Sequence, residues 1–255
     1  GALFGNNAWI AVSAYFIGVA AVIVSGIILK KTKPFAGDAA PFVMELPAYH
    51  SPVASNVLRA TWERGWDFIK RAGTVIFAAS VIIWVLNNIT VNGISILNHI
   101  GTVLAWLFVP LGFGHWEAAV ATVLGLVAKE EVVGVFGALG MGTAEQALFT
   151  VFGGNPLAGF SFLTFNLLCA PCFAAMGAIK REMNNGKWTA FAIGYMCVFA
   201  YAISLMIYQF GCIFTGNVHV IGLIAAILVL AGFVYMLFFK KYKEATTLTK
   251  EVRIK

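Results

Sequence analysis

Residues 165–177 read FNLLCAPCFAAMG. Two thiols and a proline sit in a run otherwise apolar enough for lipid, and the reading of this stretch decides between a soluble cysteine motif and a broken membrane helix. Cys169 and Cys172 are spaced for one helix face, extended by Phe165 and Met176 at i, i+4, i+7 and i+11. Pro171 lacks the backbone donor and crowds the Leu167 carbonyl, so the helix bends or opens there. Inside a bilayer such a break persists only where protein or water meets the freed carbonyl, which marks a candidate cavity or pore wall.

The rest of the chain settles the solvent. Of 255 residues 60% are hydrophobic and 11% charged, and mean hydropathy is +0.87, values that point to a polytopic membrane protein. The expected fold is all-α: a polytopic transmembrane helical bundle with an interfacial amphipathic helix, in a single membrane domain over 1–255. Runs long enough to cross about 30 Å of hydrocarbon lie near 8–29, 72–89, 97–113, 116–140, 159–179, 188–211 and 218–239. The segment 97–113 is short and contains Pro110, so a spanning and a re-entrant form are both open, and its neighbour 116–140 must follow it to keep parity.

The net charge of +6 does not indicate nucleic acid, because every Lys and Arg except Lys129 falls on one side of these spans. The opposite loops, 1–7, 90–96, 141–158 and 212–217, hold none, so the basic side is expected to be cytoplasmic, with the N-terminus outside and the tail inside. No signal peptide is expected, and the chain reads as a piece of a longer one. The long cytoplasmic connection 30–71 divides into a Pro/Gly-rich first half and an amphipathic second half. Val57, Leu58, Thr61, Trp62, Gly65, Phe68 and Ile69 there repeat at helical spacing.

No GxxxxGK[ST], GxGxxG or HExxH motif occurs, so neither nucleotide hydrolysis nor zincin chemistry is encoded in these residues. Three constellations remain. The first is Cys169 and Cys172 with carbonyl oxygens near the proline, a soft donor set suited to Fe(II), Cu(I) or Zn(II); apolar filling and a redox disulfide stay open for the same thiols. The second is Lys129-Glu130-Glu131 in the middle of an apolar run, where a charge costs about 2.5–3.5 kcal/mol and is usually kept to face a path. Glu130 shares a face with Gly134 and Gly137, Glu131 with Leu124, Val127, Val135 and Ala138; Glu130 is favoured to face the ion, with Lys129 neutralising it. The third is a polar stripe of Cys197, Tyr201, Ser204 and Tyr208, which either lines the same cavity or bonds between helices. His50, His99, His115, His219 and Cys212 fall in loops or near span ends and carry no assigned chemistry.

Six stretches in order, PFVMELPAYHSP, TWERGWDFIKRAGTVIF, LFVPLGF, VAKEEVVGVFG, APCFAAMGAIKRE and WTAFAIGYM, resemble the carboxy-terminal membrane region of the bacterial ferrous iron transport protein B family. The resemblance covers essentially the whole chain. It implies that Pro171-Cys172 is the second of two Gate motifs, with the cysteine on the iron path, and that Ala128-Lys129-Glu130, Val133-Gly134 and Glu45-Leu46-Pro47 match family stretches. Glu131, where an apolar residue is expected, and the additional thiol Cys169 depart from that pattern.

By this resemblance the chain is the carboxy-terminal half of a ferrous iron importer's permeation domain, a transporter and not an enzyme. Cys172, Cys169 and Glu130 are its metal-contacting candidates, and Lys129, Glu131, Pro171, Met176, Cys197, Tyr201 and Ser204 its pathway candidates. Fe(II) is the transported ion and no cofactor belongs to this chain; GTP enters only through an amino-terminal domain. The implied partners are that GTPase domain, the first membrane half, small Feo-system accessory proteins, the lipid bilayer and a second copy. A Gate-type carrier of nucleosides or other small solutes, a thiol oxidoreductase and a scaffold for the GTPase domain are the competing readings.

Overall fold

In the computed structural model the described residues are 8–32, 35, 53–91, 93–126, 129, 132, 136, 144–217 and 219–240. They form an all-α membrane bundle. Helix α1 (Ala8–Lys30) is apolar on every side and meets its first charge at Lys30 in its last turn, as a lipid-embedded helix should. Helix α2 (Ala54–Asn88) runs unbroken for 35 residues, about 52 Å. The sequence reading separates an interfacial helix from a span at 72; the structure joins them, because no proline interrupts 54–88. Its amphipathic first half carries an Arg59–Glu63 pair at 2.9 Å, stacked Trp62 and Trp66 rings, and Lys70 over the Trp66 face. These are residues suited to a membrane surface.

A two-stranded ribbon follows, β1 (Thr90–Val91) against β2 (Ile94–Ser95), turning at Gly93 with φ of 79°. Sequence reading missed it, although Asn92-Gly93 beside β-branched residues is a recognised hairpin signal. Ser95 then caps α3 (Ile96–Phe108) by accepting from Asn98 N. A short 3-10 turn, Val109–Leu111, and Gly112 at φ 87° redirect the chain into α4 (Trp116–Gly125). The two arms meet at 94°.

These two arms fall in 97–113 and 116–140, the segments for which a spanning and a re-entrant form are both open. The 13 residues of α3 span only about 20 Å, so 97–113 is one arm of a bent pair. Within 116–140, α4 ends at Gly125, where the Leu126 carbonyl bonds Phe173 N; Val132 and Phe136 are helical again, and apart from Lys129 the other residues after Leu126 lie outside the described residues.

Helix α5 (Ala144–Val151) leads through Gly153 and Gly154, both at positive φ, to α6 (Pro156–Leu168). Asn155 caps α6 by accepting from Leu157 N, with Pro156 in the first turn, the position where proline costs least. Helix α7 (Phe173–Met183), α8 (Gly186–Thr215) and α9 (Val220–Val234, ending in a π-turn at Tyr235–Phe239) complete the chain. Helix α6 is central: it packs on α8, α1 and α4, while α9 packs on the far side of α8. Around α6 the rings of Phe108, Phe113, Phe136, Phe152, Phe162 and Phe165 form one core, with centroids 5.2–6.4 Å apart.

Lys31 bonds the Leu237 carbonyl and Phe35 packs on Trp188 and Phe191. The end of α1, the start of α8 and the end of α9 therefore share one end of the bundle, which gathers Lys30, Lys31, Lys187 and Lys240. Among the described residues three helices are long and apolar enough to cross a membrane, at Val12–Lys30, Gly186–Thr215 and Val220–Phe239, and most of their large side chains face outward, as lipid contact requires.

Candidate ion-pathway site

The stretch 165–177 is not one bent helix. Helix α6 ends at Leu168, Cys169 is extended at ψ 174° and Cys172 at ψ 159°, and α7 restarts at Phe173. The expected sulfur stripe of Phe165, Cys169, Cys172 and Met176 is therefore split between two helices and a linker. Proline explains the difference: it withholds a donor from the Leu167 carbonyl and disfavours helical backbone at Ala170 before it. Cys169 becomes the last cap of α6, its N–H bonded to Phe165 O, and Cys172 becomes the first cap of α7, its carbonyl taken by Met176 N.

The opened end of α6 presents carbonyls that no helix turn satisfies. Lys129 Nζ donates to three of them: Asn166 O at 2.7 Å, Cys169 O at 3.3 Å and Leu167 O at 3.4 Å. A cation at a helix C-terminus is favoured by both the free carbonyls and the helix dipole. Lys129 lies four residues beyond the end of α4 at Gly125. Phe173 N closes the other side by bonding Leu126 O at 2.8 Å. The ends of α4, α6 and α7 thus meet at one point.

Leu168 lines a 490 Å³ cavity between α1 and α8 together with Met196 and Phe199, residues near the midpoint of the 30-residue α8. Cys197, half-buried on α8, lies within electrostatic reach of Cys169. A discontinuous helix whose ends meet inside the bundle is the arrangement many transporters use to hold substrates and ions.

The two thiols differ. Cys169 is 6% exposed, and its sulfur lies 3.6 Å from Asn166 O and 3.7 Å from Ala170 O, so its hydrogen is directed at backbone. Cys172 is half-buried at the lip of the break, with Pro171 beside it, and both thiols are free. Met176 is half-buried one turn into α7. Glu130 and Glu131 lie outside the described residues, as do Gly134 and Gly137; Val132 and Phe136 of the same segment are buried. Among the described residues no three His, Cys, Asp or Glu side chains come together.

The α8 stripe shows interhelical bonding. Ser204 Oγ donates to Ser161 O at 2.8 Å and lies 2.7 Å from Ser161 Oγ, which donates to Leu111 O at 2.8 Å. Tyr201 OH donates to Leu107 O at 3.0 Å, and Gln209 Nε2 to Pro110 O at 2.6 Å. These donors close the α3–α4 turn, whose carbonyls proline and the bend have freed. Ser161 and Gln209 escaped the sequence reading; each is a polar residue inside a run apolar enough for the membrane, Ser161 near Thr164 and Gln209 beside Tyr208, and a buried polar residue in such a run is the signal by which they could have been found.

The architecture is that of a multi-pass helical membrane protein built on interrupted helices. Residues 11–64 match the family described as ferrous iron transport protein B C terminus, and residues 69–186, which contain both breaks and Lys129, match the Gate family described as nucleoside recognition. The chain is 35% identical over 221 residues to the Fe(2+) transporter FeoB of Staphylococcus aureus strain COL, an alignment covering 82% of this chain and 32% of that protein. The corresponding Methanocaldococcus jannaschii protein is 35% identical over 83% of this chain and 34% of its own length. The Escherichia coli K12 protein is 30% identical over 82% and 35%. The chain belongs to the carboxy-terminal region of the ferrous iron transport protein B family. It spans about a third of the length of the relatives it matches. No solved structure matches it.

Proposed function

We propose that this chain forms the carboxy-terminal half of a permeation domain that imports ferrous iron across a bacterial cytoplasmic membrane. The observation that carries this reading is the Pro171 break, where a half-buried thiol and backbone carbonyls held by the Lys129 ammonium meet inside the Gate match. Fe(II) is of borderline softness and accepts such mixed sulfur and oxygen contacts. Cys172 is the primary contact, Cys169 a second thiol behind it, and Glu130 a carboxylate that offsets the dication where the dielectric is low. Ligation is partial, since a transport site must release what it binds.

The remaining features follow from that reading. The basic end of the bundle faces the cytoplasm, and GTP acts through the amino-terminal part of the longer protein, which also supplies the first membrane half. Small accessory proteins and a second copy are further partners. Nucleoside transport is not favoured, because the relatives are named as Fe(2+) transporters.

The test is anaerobic iron uptake into proteoliposomes containing the full-length protein. Cys172→Ser and Glu130→Ala each lower the initial rate at least about tenfold, equivalent to ~1.4 kcal/mol of lost stabilisation. Uptake at the unsubstituted rate in both variants contradicts the reading.

A further inference from the structure

The two helix breaks are closed by different chemistry. At the Pro110 turn, the carbonyls of Leu107, Pro110 and Leu111 are met by Tyr201, Gln209 and Ser161, neutral donors fixed on α8 and α6. At the Pro171 break, three carbonyls converge on one ammonium, that of Lys129. A hydroxyl or amide donor cannot be exchanged for a metal ion without leaving a buried polar group unmet. Carbonyl dipoles that hold an ammonium, by contrast, present the same oxygens to any other cation. Lysine also carries its charge on a flexible four-carbon stem as a compact point charge, so the ammonium can leave the carbonyls by a change of side-chain rotamer.

We propose that Lys129 is a tethered cation that fills the opened end of α6 while the pathway is empty and is displaced from it by the transported divalent ion. The inference rests on reading the Pro171 break as part of the iron route. It gives Lys129 two tasks. The ammonium satisfies the carbonyls and repels stray cations when no iron is present, and its competition weakens iron binding enough for release.

The experiment reads charge selectivity at Cys172 in the full-length protein in nanodiscs. Parallel samples react with a cationic trimethylammonium methanethiosulfonate and with neutral methyl methanethiosulfonate, and modification of Cys172 is quantified by peptide mass spectrometry. Lys129→Met raises the cationic-to-neutral rate ratio about tenfold or more, because the ammonium bound to the Cys169 carbonyl, three residues before Cys172, no longer repels the reagent. Lys129→Arg keeps the ratio within about twofold of the unsubstituted protein, since the charge is retained. A Met variant that moves both rates equally, or neither, overturns the proposal and leaves Lys129 a structural staple.

Should the Met variant not fold, the unsubstituted protein gives the answer. Anaerobic Fe(II), but not Mg(II), raises acylation of the Lys129 amine about fivefold by driving it from the carbonyls into solvent, and unchanged acylation in protein that takes up Fe(II) overturns the proposal. Absence of iron uptake would defeat the transport reading and displacement by iron with it, whereas the charge-selective labelling, which needs no iron, separately reads whether the Lys129 ammonium fills the break.

Discussion

Pro171→Ala is expected to reduce iron uptake about a hundredfold while leaving the protein at least as stable as before. Alanine restores the N–H that can bond Leu167 O and removes the ring that crowds it, so α6 and α7 can join through residues 169–172. Proline in a helix interior is disfavoured by ~3 kcal/mol, and relief of that amount shifts the balance between open and continuous forms by roughly a hundredfold. The continuous form removes the Leu167 carbonyl from Lys129 and places Cys172 on a helix face with its backbone spent. Uptake in proteoliposomes and the thermal midpoint in detergent check the two halves of this expectation. Uptake near the unsubstituted rate would show that the break is incidental to transport.

Gly112→Ala is expected to lower stability by about 3–5 kcal/mol, combining a positive-φ penalty with overpacking. Gly112 has φ of 87°, and a Cβ there would lie 2.0 Å from the Tyr208 ring, far inside contact distance. The ring cannot retreat easily, since Tyr201, Ser204 and Gln209 hold the same stretch of α8 to the turn and to α6. A loss of 3 kcal/mol corresponds to a thermal midpoint lowered by roughly 10 °C in a chain of this size. Tyr208→Ala in the same molecule relieves the steric part and leaves the backbone part, so the double variant recovers about half the loss, a coupling read by a double-mutant cycle.

Both substitutions act at places where the sequence announces an interruption but not its form. The membrane bundle was legible because α1, α8 and α9 are uninterrupted apolar runs whose length alone fits a bilayer. Pro171 was legible as a disturbance. Whether it kinks or ends a helix depends on what waits beside the freed carbonyls, and that is Lys129, more than thirty residues earlier in the chain. Helical spacing therefore placed Cys169 and Cys172 on one face, when the break puts them at opposite ends of a short extended linker.

The same long-range dependence hid the end of α4. Nothing local after Gly125 forbids a helix, but the Leu126 carbonyl and the Lys129 ammonium find partners on the broken helix that an intact one would deny them. On α8 the period-3.6 stripe was correctly seen, yet pattern alone could not tell a cavity lining from a set of clamps, because both need polar residues on one face. Ser161 pairs with Ser204, and Tyr201 and Gln209 hold the α3–α4 turn, bonds that helical spacing on α8 alone does not show.

The central claim, that a divalent ion passing through touches the sulfur at the lip of the Pro171 break, is tested most directly by Co(II) absorption. Anaerobic Co(II) added to the full-length protein in detergent is predicted to develop thiolate-to-metal charge-transfer absorption that is absent in Cys172→Ser and retained in Cys212→Ser. A spectrum of oxygen and nitrogen ligation alone, or a sulfur band unaffected by Cys172→Ser, would contradict the account.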